Sequence, residues 1–133
     1  MTKKHEIYHC PICGNMVEII DEGLGQLVCC GKPMKLMTEN TIDASREKHV
    51  PKVEIDGNIV RVSVGSSAHP MTEEHWIKWI ELSVGNKACR KELSPGDKPE
   101  TTFTICSSCP TSCDATKLKV RAYCNLHGLW KNE

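Results

Sequence analysis

Aromatic residues are scarce in this sequence: one phenylalanine, two tyrosines and three tryptophans in 133 residues. Apolar residues of all kinds reach 39%, so the core is modest and bound metal is expected to add to its stability. There is no excess of either charge, with 17 Lys and Arg against 17 Asp and Glu. That balance argues against a basic stripe for nucleic acid and against a cationic amphipathic segment for a membrane surface. No apolar run approaches the ~18 residues of a spanning helix. Lys3 and Lys4 are followed by no apolar stretch, so no signal peptide is expected and the expected location is cytoplasmic. No stretch of useful length carries a helical period. The length predicts one ordinary domain, or a small domain joined to a very small one.

Cysteine, by contrast, is abundant, with nine in the chain. A cytoplasmic compartment keeps thiols reduced, so these read as metal ligands before disulfides. Cys10-Pro11-Ile12-Cys13-Gly14 is a C-x2-C knuckle, and after fifteen intervening residues comes Cys29-Cys30-Gly31. Four thiolates in two clusters suit zinc or iron. Adjacent side chains in a strand point to opposite faces, so Cys29 and Cys30 are expected in a turn. Two short strands are expected between the clusters, Met16 to Ile20 and Gln26 to Val28, joined through Gly23 and Gly25. A polar connection comes next, with one helical turn expected from Asp43 to Lys48. The domain boundary falls near Leu36–Met37, giving units 1–36 and 37–133.

The second unit reads as short strands separated by turn signals. Lys52 to Ile55 and Ile59 to Val64 alternate apolar and polar residues around Asp56-Gly57-Asn58, a hairpin signal. Further strands are expected from His75 to Val84, Lys87 to Leu93, Thr101 to Ile105 and Lys117 to Tyr123. This pattern predicts an all-β antiparallel sandwich. After the last run, Cys124 and His127 lie three residues apart on a tight loop, a spacing that lets both side chains reach one ion. His49, His69 and His75 also fall at strand ends or in loops, where a sandwich carries its function. Five such ligands exceed zinc's usual four, and calcium and magnesium prefer oxygen. Imidazole with thiolate suits iron or copper, and five ligands leave a sixth position open.

The N-terminal cysteine pattern resembles desulforedoxin, a small iron-tetrathiolate module that is dimeric in its family. Glu47-Lys48-His49-Val50-Pro51, Ala68-His69-Pro70-Met71 with His75-Trp76-Ile77, and Tyr123-Cys124-Asn125-Leu126-His127-Gly128 extend the resemblance to nearly the whole chain. Together they resemble desulfoferrodoxin, the two-iron class of superoxide reductase. The resemblance implies two irons per chain. Cys10, Cys13, Cys29 and Cys30 would hold the first. His49, His69, His75 and His127 would hold the second in a plane, with Cys124 axial. It further implies an immunoglobulin-like second domain, a homodimer, and one-electron reduction of superoxide to hydrogen peroxide with an external donor such as rubredoxin. Lys48 would steer the anion, and Glu47 would occupy the sixth position of the oxidised iron.

Two other functions fit parts of this pattern: an iron-thiolate electron carrier without catalysis, and a zinc-stabilised binding module. Cys106, Cys109 and Cys113, with Cys89 as a possible fourth, lie outside the resemblance. They are expected to form a loop insertion whose thiols are free or disulfide-linked, because three local cysteines lack a certain fourth ligand.

Overall fold

The computed structural model describes residues 1–40, 46–84, 87–104 and 118–132. It divides into two compact units, Met1–Thr38 and Glu39–Glu133. The expected Cys106–Cys113 insertion lies outside the described residues.

The first unit is built from five very short strands: β1 (Ile7–His9), β2 (Met16–Glu18), β3 (Val28–Cys29), β4 (Lys32–Pro33) and β5 (Lys35–Met37). β1 is the centre of a three-stranded antiparallel sheet, flanked by β2 and β5. β3 and β4 form a separate two-stranded ladder. The two stretches expected as strands joined through Gly23 and Gly25, around Met16 and around Val28, therefore belong to different sheets. The reason lies in Cys30-Gly31. Both residues adopt positive φ, 55° and 74°, the conformation a two-residue hairpin demands. That tight turn pairs β3 with β4 rather than with β2. It also places adjacent Cys29 and Cys30 in a turn, as their adjacency requires.

The second unit opens with one helical turn, α1 (Arg46–His49). Among the described residues seven strands come after it: β6 (Pro51–Asp56), β7 (Ile59–Val64), β8 (Ile77–Val84), β9 (Lys87–Glu92), β10 (Glu100–Thr104), β11 (Lys119–Cys124) and β12 (Gly128–Lys131). They make two antiparallel sheets, ordered β10-β7-β6 and β12-β11-β8-β9. The chain places a hairpin in the smaller sheet and one in the larger, crosses back for β10, and returns for β11 and β12. This is an immunoglobulin-like sandwich. The β6–β7 hairpin turns at Gly57, whose φ of 61° is readily reached only by glycine.

Alternation fills the space between the sheets. Val60, Val62, Val64 and Phe103 meet Ile80, Leu82, Val84, Val120, Ala122 and Cys124, all buried. Ile77 joins them although it is an odd residue in a strand whose core positions are even. A bulge explains this: Tyr123 pairs with Trp79 but the next residue, Cys124, pairs with Ile77. Lys78 is the extra residue, exposed, and it resets which face β8 presents. On the other face of the larger sheet, Arg121, Glu81 and Arg90 are register partners across three strands. Glu81 is only 1% exposed, yet one carboxylate oxygen accepts from Arg121 Nε at 2.9 Å and the other from Arg90 at 2.7 Å. A buried carboxylate needs both partners, so the trio fixes the register of these strands.

Two expectations are corrected here. β8 begins at Ile77, so His75 precedes the strand in a loop closed on Thr72. Its N–H donates to the Thr72 hydroxyl at 3.1 Å, and its carbonyl accepts from the Thr72 N–H at 2.9 Å. The run ending at Tyr123 is also not the last strand: β12 comes after it and pairs back onto β11, with Cys124 opposite Gly128.

Candidate metal centres

The first cluster rests on the C-x2-C turn. Gly14, at φ 86°, lets the chain reverse, and its N–H donates to the Cys10 carbonyl at 3.0 Å. The Cys13 N–H approaches Cys10 Sγ at 3.5 Å, and Asn15 Nδ2 approaches Cys29 Sγ at 3.7 Å. The four sulfurs of Cys10, Cys13, Cys29 and Cys30 all lie within 4.8 Å of one another. Two of the separations are 3.5 Å, Cys13 to Cys29, and 4.0 Å, Cys29 to Cys30. A tetrahedral ion with bonds of about 2.3 Å has sulfur–sulfur edges of about 3.8 Å, so the spacing fits one ion.

The thiols' acidities make the same point. The Cys13 and Ile12 N–H groups hold Cys10 down to about 6, with the Cys13 N–H the larger influence. Its neighbours Cys13, Cys10 and Cys29 push Cys30 up to about 12. Four thiols this close resist ionising together unless a cation sits among them.

The second cluster is a closed ring of imidazoles. Ring centroids are 4.7 Å apart for His49 and His69, 4.6 Å for His69 and His75, 5.0 Å for His75 and His127, and 4.8 Å for His127 and His49. Each of these neighbouring pairs is close to perpendicular, between 78° and 89°. His49 and His75 stand opposite each other at 6.2 Å. His49 Nε2 is 3.0 Å from His127 Nδ1 and 3.2 Å from His69 Nε2. One ring nitrogen cannot make a proper hydrogen bond to two others at once, since it either carries a proton or accepts one. Cis ligands around an ion with bonds of about 2.1 Å are about 3.0 Å apart, which is the spacing found. Cys124 Sγ lies 3.8 Å from His127 Nδ1.

Two further observations favour a cation. His75 Nε2 is buried without a hydrogen-bond partner among the described residues, a costly arrangement for a nitrogen that nothing else satisfies. His69 Nδ1 lies 2.7 Å from the Pro70 carbonyl. A carbonyl only accepts, so the proton sits on Nδ1 and the Nε2 lone pair faces the ring, the usual outer support of a metal-bound histidine. Burial, reinforced by its neighbouring histidines, holds His69 down to about 4, so it stays neutral and able to ligate. Burial also lowers His75, followed by the charges of His127 and Lys48. Burial raises Cys124 against the opposing N–H groups of Leu126 and His127, and a bound cation would reverse that rise.

The sandwich supplies these positions from several elements. His49 ends α1, His69 and His75 lie in the β7–β8 connection, and Cys124 and His127 bracket the β11–β12 turn. His49, His69 and Cys124 are 2%, 3% and 0% exposed, while His75 and His127 are half-buried and Lys48 is exposed. His49, His75, Cys124 and His127 form the tightest group, with all ligand atoms within 4.8 Å. His69 joins it through His49 Nε2. Glu47 lies in α1 beside Lys48, and its side chain is outside the described residues.

Sequence reasoning missed two residues here. The Trp130 ring stacks on His49 at 4.9 Å, and its Nε1–H donates to the His127 carbonyl at 2.9 Å. Asn125 bonds to both chain neighbours of His75. Trp130 carries no local signal, whereas Asn beside a ligand cysteine in a turn is a residue type that bonds neighbouring backbone.

Comparison with known proteins agrees along the whole chain. The family model described as desulfoferrodoxin matches residues 41–133, and that of the desulfoferrodoxin N-terminal domain matches residues 2–37. Desulfoferrodoxin from Syntrophotalea carbinolica is 54% identical over 133 residues, covering 100% of this chain and 99% of the relative. Desulfoferrodoxin from Nitratidesulfovibrio vulgaris is 52% identical with the same coverage. The crystal structure of superoxide reductase from Treponema pallidum superposes with a TM-score of 0.75 at 32% identity, covering 98% of this chain and 100% of that one. With a tetrathiolate cluster in one unit, a histidine ring around a thiol in the other, and family matches over both, this chain belongs to the desulfoferrodoxin family.

Proposed function

We propose that this protein is a superoxide reductase. The observation that carries the reading is the closed ring of four histidines with one buried thiol beside it. Cys10, Cys13, Cys29 and Cys30 would hold one iron, and His49, His69, His75, His127 and Cys124 would hold the other. When bound, ferrous iron at the second centre supplies one electron to superoxide, which with two protons becomes hydrogen peroxide. The chain's own residues do the rest. Burial keeps His69 neutral, and the Pro70 carbonyl holds its proton on Nδ1 so that Nε2 turns inward. Leu126 and His127 N–H groups direct their donors at the Cys124 sulfur and moderate its charge. Lys48 stays in water, and its positive charge reaches His75. It therefore adds to an attractive field for a small anion. Glu47, next to it in α1, would supply a carboxylate to the oxidised iron.

The unit 1–36 is the electron-storing module and 37–133 the catalytic one. The external donor is a small one-electron protein such as rubredoxin, and the location is cytoplasmic. The protein is a homodimer, a reading supported by the apolar side chains that the first unit exposes: Ile12, Ile20, Leu24 and Val28 are 57%, 85%, 88% and 58% exposed.

Metal analysis and rapid mixing test the function. Protein purified without added metal should contain iron, and the reduced second centre should be oxidised by pulse-generated superoxide with peroxide formed and no oxygen. Zinc in both centres, or ferrous protein indifferent to superoxide, defeats the proposal.

A further inference from the structure

Past the bulge in β8, the β11–β8 ladder ends at Cys124 and Ile77. Beyond that point the Asn125 side chain joins the two ligand-bearing loops. Asn125 Oδ1 accepts from the Trp76 N–H at 2.9 Å, and Asn125 Nδ2 donates to the Glu74 carbonyl at 3.0 Å. The Asn125 N–H also donates to the Trp76 carbonyl at 3.2 Å. These partners fix the amide's orientation, because an N–H must donate and a carbonyl must accept. Glu74 and Trp76 are the residues immediately before and after His75. Asn125 itself lies between the ligands Cys124 and His127.

We infer that Asn125 is a positioning residue of the second metal centre: its amide clamps the backbone on both sides of His75 to the Cys124–His127 loop, so that ligands from two loops meet one ion. The inference rests on the reading of that cluster as a metal centre. Thr72 orders the His75 loop internally but does not tie it to Cys124. Among the described residues no group satisfies His75 Nε2, so its direction depends on how its backbone is held. An amide donates to one partner and accepts from the other together. Outer supports of this kind typically affect metal affinity by about 10–100-fold.

The test compares wild type, Asn125→Ala and Asn125→Asp as isolated with metal. Release of second-centre metal to a chelator is followed, together with the electron paramagnetic resonance signal of the ferric form. All three tryptophans, Trp76, Trp79 and Trp130, lie in the second unit, so their emission reports its folding. Asn125→Ala should remain folded, release its metal about tenfold faster and show an altered resonance. Asn125→Asp, which keeps the acceptor for Trp76 and lacks the donor for Glu74, should fall between. Wild-type release and resonance in Asn125→Ala overturn the inference, as does tryptophan emission showing the unit already unfolded. Wild-type protein holding zinc there defeats the reductase reading alone, and release of that zinc still decides the role of Asn125. No metal there at all defeats both.

Discussion

The two clusters are built in opposite ways. The thiols of the first come from residues 10 to 30, on two tight turns with positive φ at Gly14, Cys30 and Gly31. Of them only Cys10 is buried, and the strands around them are two or three residues long. Little else holds that unit together, so its metal is part of its fold. The ligands of the second cluster are spread from residue 49 to 127 and brought together by a sandwich whose core is filled by Val, Ile and Leu side chains. There the packed core of the sandwich carries the loops that bear the ligands. A change at the first centre should therefore be felt as loss of structure, and a change at the second as loss of chemistry.

Cys124→Ser is the sharpest test of that contrast. It should abolish the ferric-thiolate absorption of the second centre and lower superoxide reduction by more than about 100-fold, beyond the usual loss from an outer support. The sandwich should stay folded by tryptophan emission. Unchanged colour at that centre would remove Cys124 from the ligand set. Cys13→Ser should instead lose the first iron and loosen residues 6–36, seen as amide exchange, while the second centre keeps its reaction with superoxide. A variant that kept the second iron but no longer reacted would mean the centres are obligatorily coupled.

Lys48→Ala should keep both irons and both colours. Its second-order rate with superoxide should fall by roughly tenfold, with a shallower dependence on salt, measured with pulse-generated superoxide at several ionic strengths. Equal rates and equal salt slopes would reduce Lys48 to a solvated loop residue. The smallest effect is expected from changing Cys106, Cys109 and Cys113 together to Ser. Iron content and turnover should be unaltered, and loss of a third metal equivalent would show that two centres are not the full complement.

Much of this was legible in the sequence because the signals were local. The Asp56-Gly57-Asn58 hairpin and the Cys10-x2-Cys13 turn each announce themselves within a few residues, and the alternation of β7 and β11 predicts which side chains enter the core. What stayed hidden depended on distant partners. β1 and β5 are three residues each and pair only because the turns between them are folded. β12 was concealed because Leu129 and Trp130 come directly after a turn whose residues were already accounted for as ligands. The start of β8 at Ile77 is tied to the bulge at Lys78, which exists only in relation to Tyr123 and Cys124. That His127 turns Nδ1 to the ring while His69 turns Nε2 is set by the tight β11–β12 loop and by the Pro70 carbonyl. Neither is visible as a pattern of residue types.

The spread of ligands along the chain also sets a timetable. Cys10 and Cys29 are 19 residues apart and His49 and His127 are 78 apart. Quadrupling a loop costs only about 1.2 kcal/mol in closure entropy, so the distance matters little once folding is complete. During synthesis it matters more. At about 5–20 residues per second, a ribosome needs roughly 4–16 s to travel from His49 to His127. The tetrathiolate set is finished as soon as Cys30 emerges, whereas the histidine ring stays short of His127 and its thiol until the β11–β12 hairpin is made. The first set of ligands is therefore complete in a nascent chain well before the second.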